Sequence, residues 1–264
     1  MIDIHAHILP EIDDGSQSLD ETIEILEKLA EQGITDIIAT PHVMTGTYDN
    51  DKNSIENKMR LVKKTIKDNG INISVYPGAE LYLDPDILEY TKINKLTLGY
   101  SHYVLVESAF QGFPQNFEKI IFNFQQSGYK PIIAHAERYQ DFKTDFNYLI
   151  SILNRGCFVQ VNCGSLFGAH GDTARKLALK MLDEGCVHFL ASDLHGIDGR
   201  PIVLKETYKF ITKNYSKELA ELLMVKNPRH VLYDATIENM ISNTYWDEES
   251  SKPDIWEKIR NLFK

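Results

Sequence analysis

The chain has 264 residues, enough for one sizeable core, and carries a formal net charge of -10 with a pI near 5.4. An acidic chain without clustered Lys and Arg is poorly suited to nucleic acid or to an anionic membrane surface, so we exclude these partners, whereas cationic metals fit the charge. No signal-peptide pattern and no apolar run of about 18 residues is present. We therefore expect a cytoplasmic protein without stable membrane insertion.

Short apolar runs alternate along the chain with longer amphipathic segments. The predicted strands are residues 2–4, 36–40, 73–76, 103–107, 131–134, 158–162 and 188–192. The predicted helices are residues 18–32, 54–69, 116–127, 146–155, 173–184 and 203–213, the first of which opens with a capping box from Ser18 to Glu21 and ends at Gly33. About seven alternations favour a closed β/α barrel over an open sheet, and barrel enzymes place their chemistry at the carboxyl ends of the strands.

Side chains that can bind a metal follow nearly every predicted strand. They are His5 and His7 after the first strand, His42 after the second, Glu80 after the third, Glu107 at the end of the fourth, His135 after the fifth, and Asp193 and His195 after the last. Residues two apart on a strand point to the same face, so a His-x-His or Asp-x-His pair can aim two ligand atoms at one place. One such histidine would be ordinary packing, but the joint pattern predicts a metal centre.

Five separated motifs, in order, carry a resemblance to a known family. They are H-A-H-I-L-P-E-I-D-D-G from His5, A-T-P-H ending at His42, G-A-E ending at Glu80, H-A-E-R from His135, and S-D-L-H ending at His195. These motifs resemble those of the polymerase-and-histidinol-phosphatase (PHP) superfamily. Within it, the chain from Met1 to about Ile241 is similar to the bacterial manganese-dependent protein-tyrosine phosphatases encoded with capsule and exopolysaccharide genes. The resemblance implies an α/β fold, a distorted (β/α)7 TIM-like barrel, with three divalent metal ions.

The resemblance also implies how the ligands are shared among the three ions. The first ion would be held by His5, His7, Glu80 and Asp193, the second by Glu80 as a bridge with Glu107 and His135, and the third by Asp14, His42 and His195. Of the adjacent Asp13 and Asp14, the family pattern favours Asp14 as the ligand and leaves Asp13 as a charge in a loop or at a helix N-terminus. Imidazole and carboxylate together suit Mn, Fe or Zn, and the resemblance favours Mn.

Ions held in this way would activate water and neutralise phosphoryl oxygens, which suits hydrolysis of a phosphomonoester without a covalent intermediate. Arg138 and Arg200 lie beside ligand motifs and match arginines of the phosphatase family, so we expect both to bind the phosphate and to be catalytic. By resemblance, the substrate is phosphotyrosine on a protein, in particular the tyrosine-rich tail of a membrane-associated bacterial tyrosine kinase that controls capsular or exopolysaccharide synthesis. The sequence indicates no general acid.

The sequence does not exclude two other functions. One is a small-molecule phosphomonoesterase, such as a histidinol-phosphate phosphatase, because sequence does not give the depth of a pocket. The other is a non-catalytic, metal-stabilised regulator that binds phosphotyrosine, although the complete ligand set disfavours it. A cysteine-dependent tyrosine phosphatase is excluded, because none of Cys157, Cys163 and Cys186 precedes an arginine at the spacing that a phosphate-binding loop needs. We expect all three to be buried free thiols.

The predicted domain boundary lies near the C-terminus. Residues 1–244 are predicted to form the metallophosphatase barrel, and residues 245–264 a polar linker followed by an amphipathic helix. In this helix the apolar residues that recur at helical spacing are Ile255, Trp256, Ile259, Leu262 and Phe263. Docking of this helix onto its own barrel or a neighbouring subunit is favoured over an anchor near a kinase or membrane. The sequence does not indicate the oligomeric state.

Overall fold

The computed structural model describes residues 1–237, in which parallel strands are enclosed by helices. The strands are β1 (Ile2–His7), β2 (Asp36–Ala39), β3 (His42–Val43), β4 (Ser74–Pro77), β5 (Glu80–Tyr82), β6 (Tyr103–Glu107), β7 (Lys130–Ile133), β8 (Phe158–Asn162), β9 (Phe189–Ala191) and β10 (Leu194–His195). All seven predicted strands are present, and β1 runs on through both of its histidines. The short strands β3, β5 and β10 were not predicted.

The strands close into a ring of seven positions, because three positions are each occupied by two short strands in series. One sheet has the order β10-β1-β2-β4 and the other β3-β5-β6-β7-β8-β9, with every strand pair parallel. In the chain, β3 continues β2, β5 continues β4 and β10 continues β9. The two sheets therefore overlap at both ends and together form one ring. At the breaks, Glu80 N donates to Pro41 O at 3.0 Å and Asp193 N donates to His5 O at 2.8 Å. The fold is thus the predicted distorted (β/α)7 barrel.

Helices cover the outside of this ring. They are α1 (Leu19–Glu31), α2 (Lys52–Asn69), α3 (Ile87–Asn94), α4 (Phe117–Gln126), α5 (Gln140–Thr144), α6 (Phe146–Asn154), α7 (Cys163–Leu166), α8 (Gly171–Asp183), α9 (Leu204–Asn214), α10 (Lys217–Glu221) and α11 (Asn227–Leu232). The six predicted helices are confirmed as α1, α2, α4, α6, α8 and α9. The five that were missed are short, so few turns were available to establish a helical period.

The start of α1 differs from the predicted capping box. Ser18 Oγ accepts a hydrogen bond from Glu21 N at 3.1 Å, as expected of an N-cap. The Glu21 carboxylate, however, accepts from Gln17 N at 2.6 Å and from Ile197 N at 2.8 Å instead of returning to the cap residue. The box is therefore half formed, and Glu21 ties the start of α1 to the loop after β10. Gly33, at a φ of +84°, follows the end of α1 as predicted.

An irregularity in β1 allows one strand to serve both the core and the site. Ile2 and Ile4 belong to an inner apolar cluster with residues such as Leu105 and Ile132 from other strands. The pairing of β1 with β2 shifts register between Asp3 and Ala6, so the strand does not keep a simple alternation. Both histidines of β1 are consequently buried at the carboxyl end of the barrel.

All three cysteines are buried and free, as predicted. Burial raises the pKa of Cys157 and of Cys186 to about 12, so neither is a thiolate near neutral pH. A role for these thiols as nucleophiles is not supported.

The predicted barrel domain is described as far as Ile237, which packs into the inner apolar cluster. The predicted linker and amphipathic helix of residues 245–264 lie outside the described residues. Within residues 1–237, no helix is both long and apolar enough to cross a membrane.

Candidate metal centre

The nine side chains predicted as metal ligands converge at the carboxyl end of the barrel. They come from β1 (His5, His7), the loop after β1 (Asp14), β3 (His42), β5 (Glu80), β6 (Glu107), the segment after β7 (His135), the break between β9 and β10 (Asp193), and β10 (His195). Eight of them form three groups whose candidate ligand atoms lie within 4.8 Å of one another, and His135 contacts two carboxylates of these groups. Eight of the nine were predicted from their position after a strand, and Asp14 was implied by the family resemblance alone.

The first group consists of His5, His7, Glu80 and Asp193. His5 Nε2 lies 3.2 Å from His7 Nε2, 3.2 Å from Glu80 Oε2 and 3.3 Å from Asp193 Oδ1. His7 Nε2 lies 3.2 Å from Glu80 Oε2 and 3.8 Å from Asp193 Oδ1. This group has the same members as the set that the resemblance implied for the first ion.

The second group is built on two carboxylates, Glu80 and Glu107. His135 Nε2 lies 2.8 Å from Glu80 Oε1 and 3.8 Å from Glu107 Oε2. His42 Nδ1 lies 3.2 Å from Glu80 Oε2 and 2.8 Å from Glu107 Oε1. Glu80 therefore faces both the first and the second groups. His42, which the resemblance implied for the third ion alone, turns one ring nitrogen toward this group as well.

The third group lies nearest to solvent. Asp14 Oδ1 is 3.4 Å from His42 Nε2 and 3.4 Å from His195 Nε2, and these two nitrogens are 3.3 Å apart. His7 completes the group, and its ring centroid lies 3.8 Å from that of His195. The side chain of Asp14 is 55% exposed, whereas those of the first group are at most 1% exposed. The centre is consequently buried at one end and open at the other.

The spacing of the donor atoms fits divalent metal ions. Ligands at about 2.1 Å from a tetrahedral ion lie roughly 3.4 Å from one another. In the first group, the two histidine nitrogens lie 3.2 to 3.8 Å from each other and from the carboxylate oxygens. In the third group, the ligand atoms of Asp14, His42 and His195 are 3.3 to 3.4 Å apart. Glu80 Oε2 and Asp193 Oδ1 are buried without a hydrogen-bond partner among the described residues. Since an unpaired buried carboxylate oxygen costs free energy, a cation at these positions would satisfy both.

The electrostatics of the centre also favour a cation. Burial lowers the pKa of His7 and of His135, so each imidazole is neutral and offers a lone pair. Burial lowers the pKa of His42 as well, but the carboxylates of Glu80 and Glu107 outweigh it and raise the pKa to about 10. Burial would raise the pKa of Glu80, yet His5 and His42 hold it well below its usual range. The carboxylates thus attract positive charge, which a metal ion can supply in place of a proton.

Two of the candidate ligands adopt the left-handed backbone conformation. The φ of His135 is +33° and that of Asp193 is +51°. This conformation costs a residue other than glycine about 1 kcal/mol or more. Hydrogen bonds hold both backbones in place, from His135 N to Gln160 Oε1 at 2.8 Å and from Asp193 N to His5 O. The strain falls where the chain leaves β7 and β9 and turns a side chain into the centre.

Asp13 lies in the loop between β1 and α1, one of the two places predicted for it, but its carboxylate has a further role there. It is buried, its Oδ2 lies 2.7 Å from His7 Nδ1, and it accepts the N–H of His42 at 3.0 Å. Its Oδ1 accepts from Gly15 N at 2.9 Å, and a Cβ at Gly15 would lie only 2.3 Å from His7 O. The carboxylate of Asp13 therefore fixes the His7 ring with Nε2 directed at the centre, as a hydrogen-bond acceptor behind a ligand histidine does.

Gln160 and Asn162 also support the centre, and the sequence analysis missed both. They lie on β8, after which no ligand was predicted. Gln160 Oε1 is 3.1 Å from His5 Nδ1, Gln160 Nε2 donates to Asn162 Oδ1 at 2.8 Å, and Asn162 Nδ2 donates to Asp193 Oδ2 at 2.6 Å. Two amides at alternate positions of an otherwise apolar strand share one face, which is the signal that could have revealed them.

We expect an Asp13→Asn variant to bind metal about 10 to 100 times more weakly, because an amide no longer stabilises the His7 ring as a carboxylate does. A chelator competition with the purified variant measures this affinity. Asp20→Asn, at an exposed position in the first turn of α1, is the control and should bind metal like the unmodified protein. An unchanged affinity in Asp13→Asn would show that Asp13 does not orient His7.

Arg138 and Arg200 lie together at the rim of the centre, and each side chain is 21% exposed. Arg200 Nη1 donates to the carbonyl oxygen of Asp193 at 2.6 Å and also contacts its carboxylate. Arg138 Nη1 stays 3.8 Å from Asp193 Oδ2, beyond hydrogen-bond distance. Burial, followed by repulsion from Arg138, lowers the pKa of Arg200 to about 10, so this group is still a cation near neutral pH. Two guanidinium groups beside the carboxylates form an anion site next to a cation site.

The closed barrel, with imidazoles and carboxylates gathered at its carboxyl end beside two arginines, defines the protein as a metal-dependent hydrolase of the PHP type. The family model for capsular polysaccharide synthesis proteins CpsB/CapC matches residues 1–233. The chain belongs to this family.

Curated relatives of the chain carry names that agree with this class. The putative tyrosine-protein phosphatase CapC of Staphylococcus aureus is 35% identical over 243 residues, which cover 91% of this chain and 94% of the relative. The tyrosine-protein phosphatase YwqE of Bacillus subtilis is 32% identical over 238 residues, which cover 90% of this chain and 93% of the relative.

One match among solved structures is similar to this chain in both fold and sequence. The structures of YwqE from Bacillus subtilis and CpsB from Streptococcus pneumoniae are described as unique metal-dependent tyrosine phosphatases. The match has a TM-score of 0.85 and 31% identity, and it covers 90% of this chain and 96% of the other. Histidinol phosphate phosphatase from Lactococcus lactis matches with a TM-score of 0.55 at 13% identity over 84% of this chain and 94% of that one, a likeness that concerns the fold alone.

Proposed function

We propose that the chain is a metal-dependent protein-tyrosine phosphatase that hydrolyses phosphotyrosine on proteins. The observation that carries this proposal is the placement of Arg138 and Arg200 beside the first group of ligands, at the open end of the centre. The names of the relatives support the choice of phosphotyrosine.

We assign three divalent ions, with Mn²⁺ as the expected metal, to the nine side chains. Three groups of donor atoms support the number, and the absence of any thiolate among the donors supports a metal that prefers oxygen and nitrogen. When bound, such ions supply a nucleophile from water at neutral pH and offset charge on phosphoryl oxygens.

The protein's own side chains then position the phosphoryl group. Each guanidinium can donate two parallel N–H bonds to phosphoryl oxygens, which fixes the phosphorus relative to the ligands. No side chain near the centre is assigned as general acid. A phenol has a pKa of about 10 and leaves more readily than an alkyl alcohol, so phosphotyrosine has the least need for one.

The open end of the centre suits a protein substrate. Exposure rises from the first group to His42 and His195, at 12% and 10%, and then to Asp14 at 55%. Tyr48 stacks on the His42 ring with centroids 5.5 Å apart and planes at 16°, so an aromatic side chain borders the entrance. A tyrosine side chain can reach such a centre while its polypeptide stays outside. The family's part in capsular polysaccharide synthesis supports the tail of a bacterial tyrosine kinase as the specific substrate.

The test compares phosphate release from three compounds by the chelated and the Mn²⁺-restored protein. They are a phosphotyrosine peptide, the same peptide with phosphoserine, and histidinol phosphate. We expect metal-dependent release from the phosphotyrosine peptide at a rate far above that from the other two. Preference for histidinol phosphate would assign a small-molecule substrate, and metal and peptide binding without release would assign a regulator.

A further inference from the structure

The two arginines of the rim are held in different ways. Arg200 is fixed by the carboxylate and the carbonyl oxygen of Asp193, so some of its donors are engaged. Among residues 1–237, no carboxylate lies within hydrogen-bond distance of Arg138. Its guanidinium carbon instead lies 4.0 Å from the centroid of the Phe110 ring. A cation over an aromatic face is attracted by the ring quadrupole, and this attraction uses the face of the guanidinium while its N–H groups stay free at the edge.

We propose that Phe110 is a positioning residue for substrate: its ring holds the Arg138 guanidinium at the rim with its donors available to a phosphoryl group. This inference rests on the proposed function only in taking the bound anion to be a phosphate. Phe110 does for Arg138 what Asp193 does for Arg200, without occupying the N–H groups. Because a carboxylate partner would compete with phosphate for those donors, a ring is the better support for an arginine that must be free to bind.

The Phe110 ring is itself held firmly enough for this role. It lies 5.6 Å from the ring of Tyr139, which is fully buried and whose hydroxyl accepts a hydrogen bond from Ser108 N at 3.1 Å. The carbonyl of Phe110 accepts from Gln140 N at 2.9 Å. The loop that follows the ligand Glu107 therefore holds the Phe110 ring in a fixed position.

A second contact of Phe110 provides the competing explanation. Its ring meets the His135 ring edge-on, with centroids 5.2 Å apart and planes at 66°. If Phe110 acted by packing against His135, its loss would weaken metal binding. If it acts through Arg138, its loss weakens phosphate binding and leaves metal binding intact. The two roles can be separated by measuring both quantities.

The experiment uses the Mn²⁺-loaded protein with Phe110→Leu and Phe110→Tyr, each in the unmodified and in the Arg138→Ala background. Calorimetry measures the affinity for inorganic phosphate, elemental analysis measures bound metal, and kcat/KM is measured on the phosphotyrosine peptide. In the unmodified background, Phe110→Leu should weaken phosphate binding and lower kcat/KM about tenfold, equivalent to about 1.4 kcal/mol. Phe110→Tyr, which keeps the ring face, should stay within about twofold. In the Arg138→Ala background, Phe110→Leu should change nothing further.

Phe113→Leu is the matched control, since it removes a ring from the same loop. Phe113 stacks on Phe117 with ring centroids 4.0 Å apart and lies tilted against Tyr139 at 4.7 Å, and within residues 1–237 its ring does not lie against Arg138. It should bind phosphate like the unmodified protein. Equal losses from Phe110→Leu in both backgrounds, or a loss of bound metal, would overturn the proposal. If phosphate binding depends on Phe110 as expected but the peptide is not hydrolysed, the proposed function fails and this inference holds.

Discussion

A Glu80→Gln variant should lose bound metal and lower kcat/KM at least about a thousandfold, because the ions are worth several kcal/mol of catalysis. Glu80 is fully buried, and its Oε2 lies 3.2 Å from nitrogens of His5, His7 and His42. Its Oε1 lies 2.8 Å from His135 Nε2. Glutamine keeps the shape of the side chain but replaces one oxygen by an amide nitrogen, which offers no lone pair to a cation and carries no charge.

Elemental analysis of the purified variant and phosphate release from the phosphotyrosine peptide measure the two effects. Glu24→Gln is the matched control, because Glu24 is exposed on α1 and forms its ion pair with Lys28, away from the centre. It should keep both metal and activity. A Glu80→Gln protein with its full metal content and less than a tenfold loss of activity would contradict the assignment of Glu80 as a bridge.

Arg138→Ala and Arg200→Ala are each expected to lower kcat/KM about a hundredfold or more while metal is retained. Hydrogen bonds to a charged group are worth about 1.5–3 kcal/mol each, and a guanidinium can donate two of them to phosphate. Arg138 is too far from Asp193 for a hydrogen bond, so its loss should not disturb the ligand. After loss of Arg200, Asn162 Nδ2 still holds Asp193 Oδ2 at 2.6 Å.

Arg60→Ala is the control for these variants, because Arg60 is exposed on α2 and bonds to Asn57. The corresponding lysine variants should recover only part of the activity, since an ammonium supplies charge without the planar fork of donors. Wild-type rates in Arg138→Ala and Arg200→Ala would mean that the phosphate binds elsewhere. A loss of metal in either would mean that the arginine supports the centre instead of the substrate.

Eight of the nine candidate ligands were accessible from sequence because of where they fall along the chain, whereas Asp14 was reached only through the family resemblance. A buried parallel strand is a short apolar run, and the first polar side chains after it must lie at the mouth of the barrel. This rule placed His42, Glu80 and His135 in one site although they are far apart in sequence. It did not reveal Asp13, whose role depends on a hydrogen bond to His7 and not on its position after a strand.

The way in which the ligands are shared could not be taken from sequence. His42 turns Nδ1 toward Glu107 and Nε2 toward Asp14, so it faces two groups instead of the one implied by the resemblance. Which nitrogen points where is set by the rotation of one ring inside the assembled barrel. The interrupted strands are similar: β3, β5 and β10 are too short to show a period, and pairing with neighbouring strands defines them.

The sequence by itself indicated the barrel and eight of the nine candidate ligands, because apolar periodicity and strand-end chemistry are local properties of the chain. The family resemblance added Asp14 and singled out the two arginines. Only the tertiary structure decided that Asp13, Gln160 and Asn162 form a layer behind the ligands. It likewise decided that an aromatic ring holds Arg138 while a carboxylate holds Arg200. These features are contacts between segments distant in sequence, and their energies exist only once the strands have closed into a ring and fixed the distances between side chains.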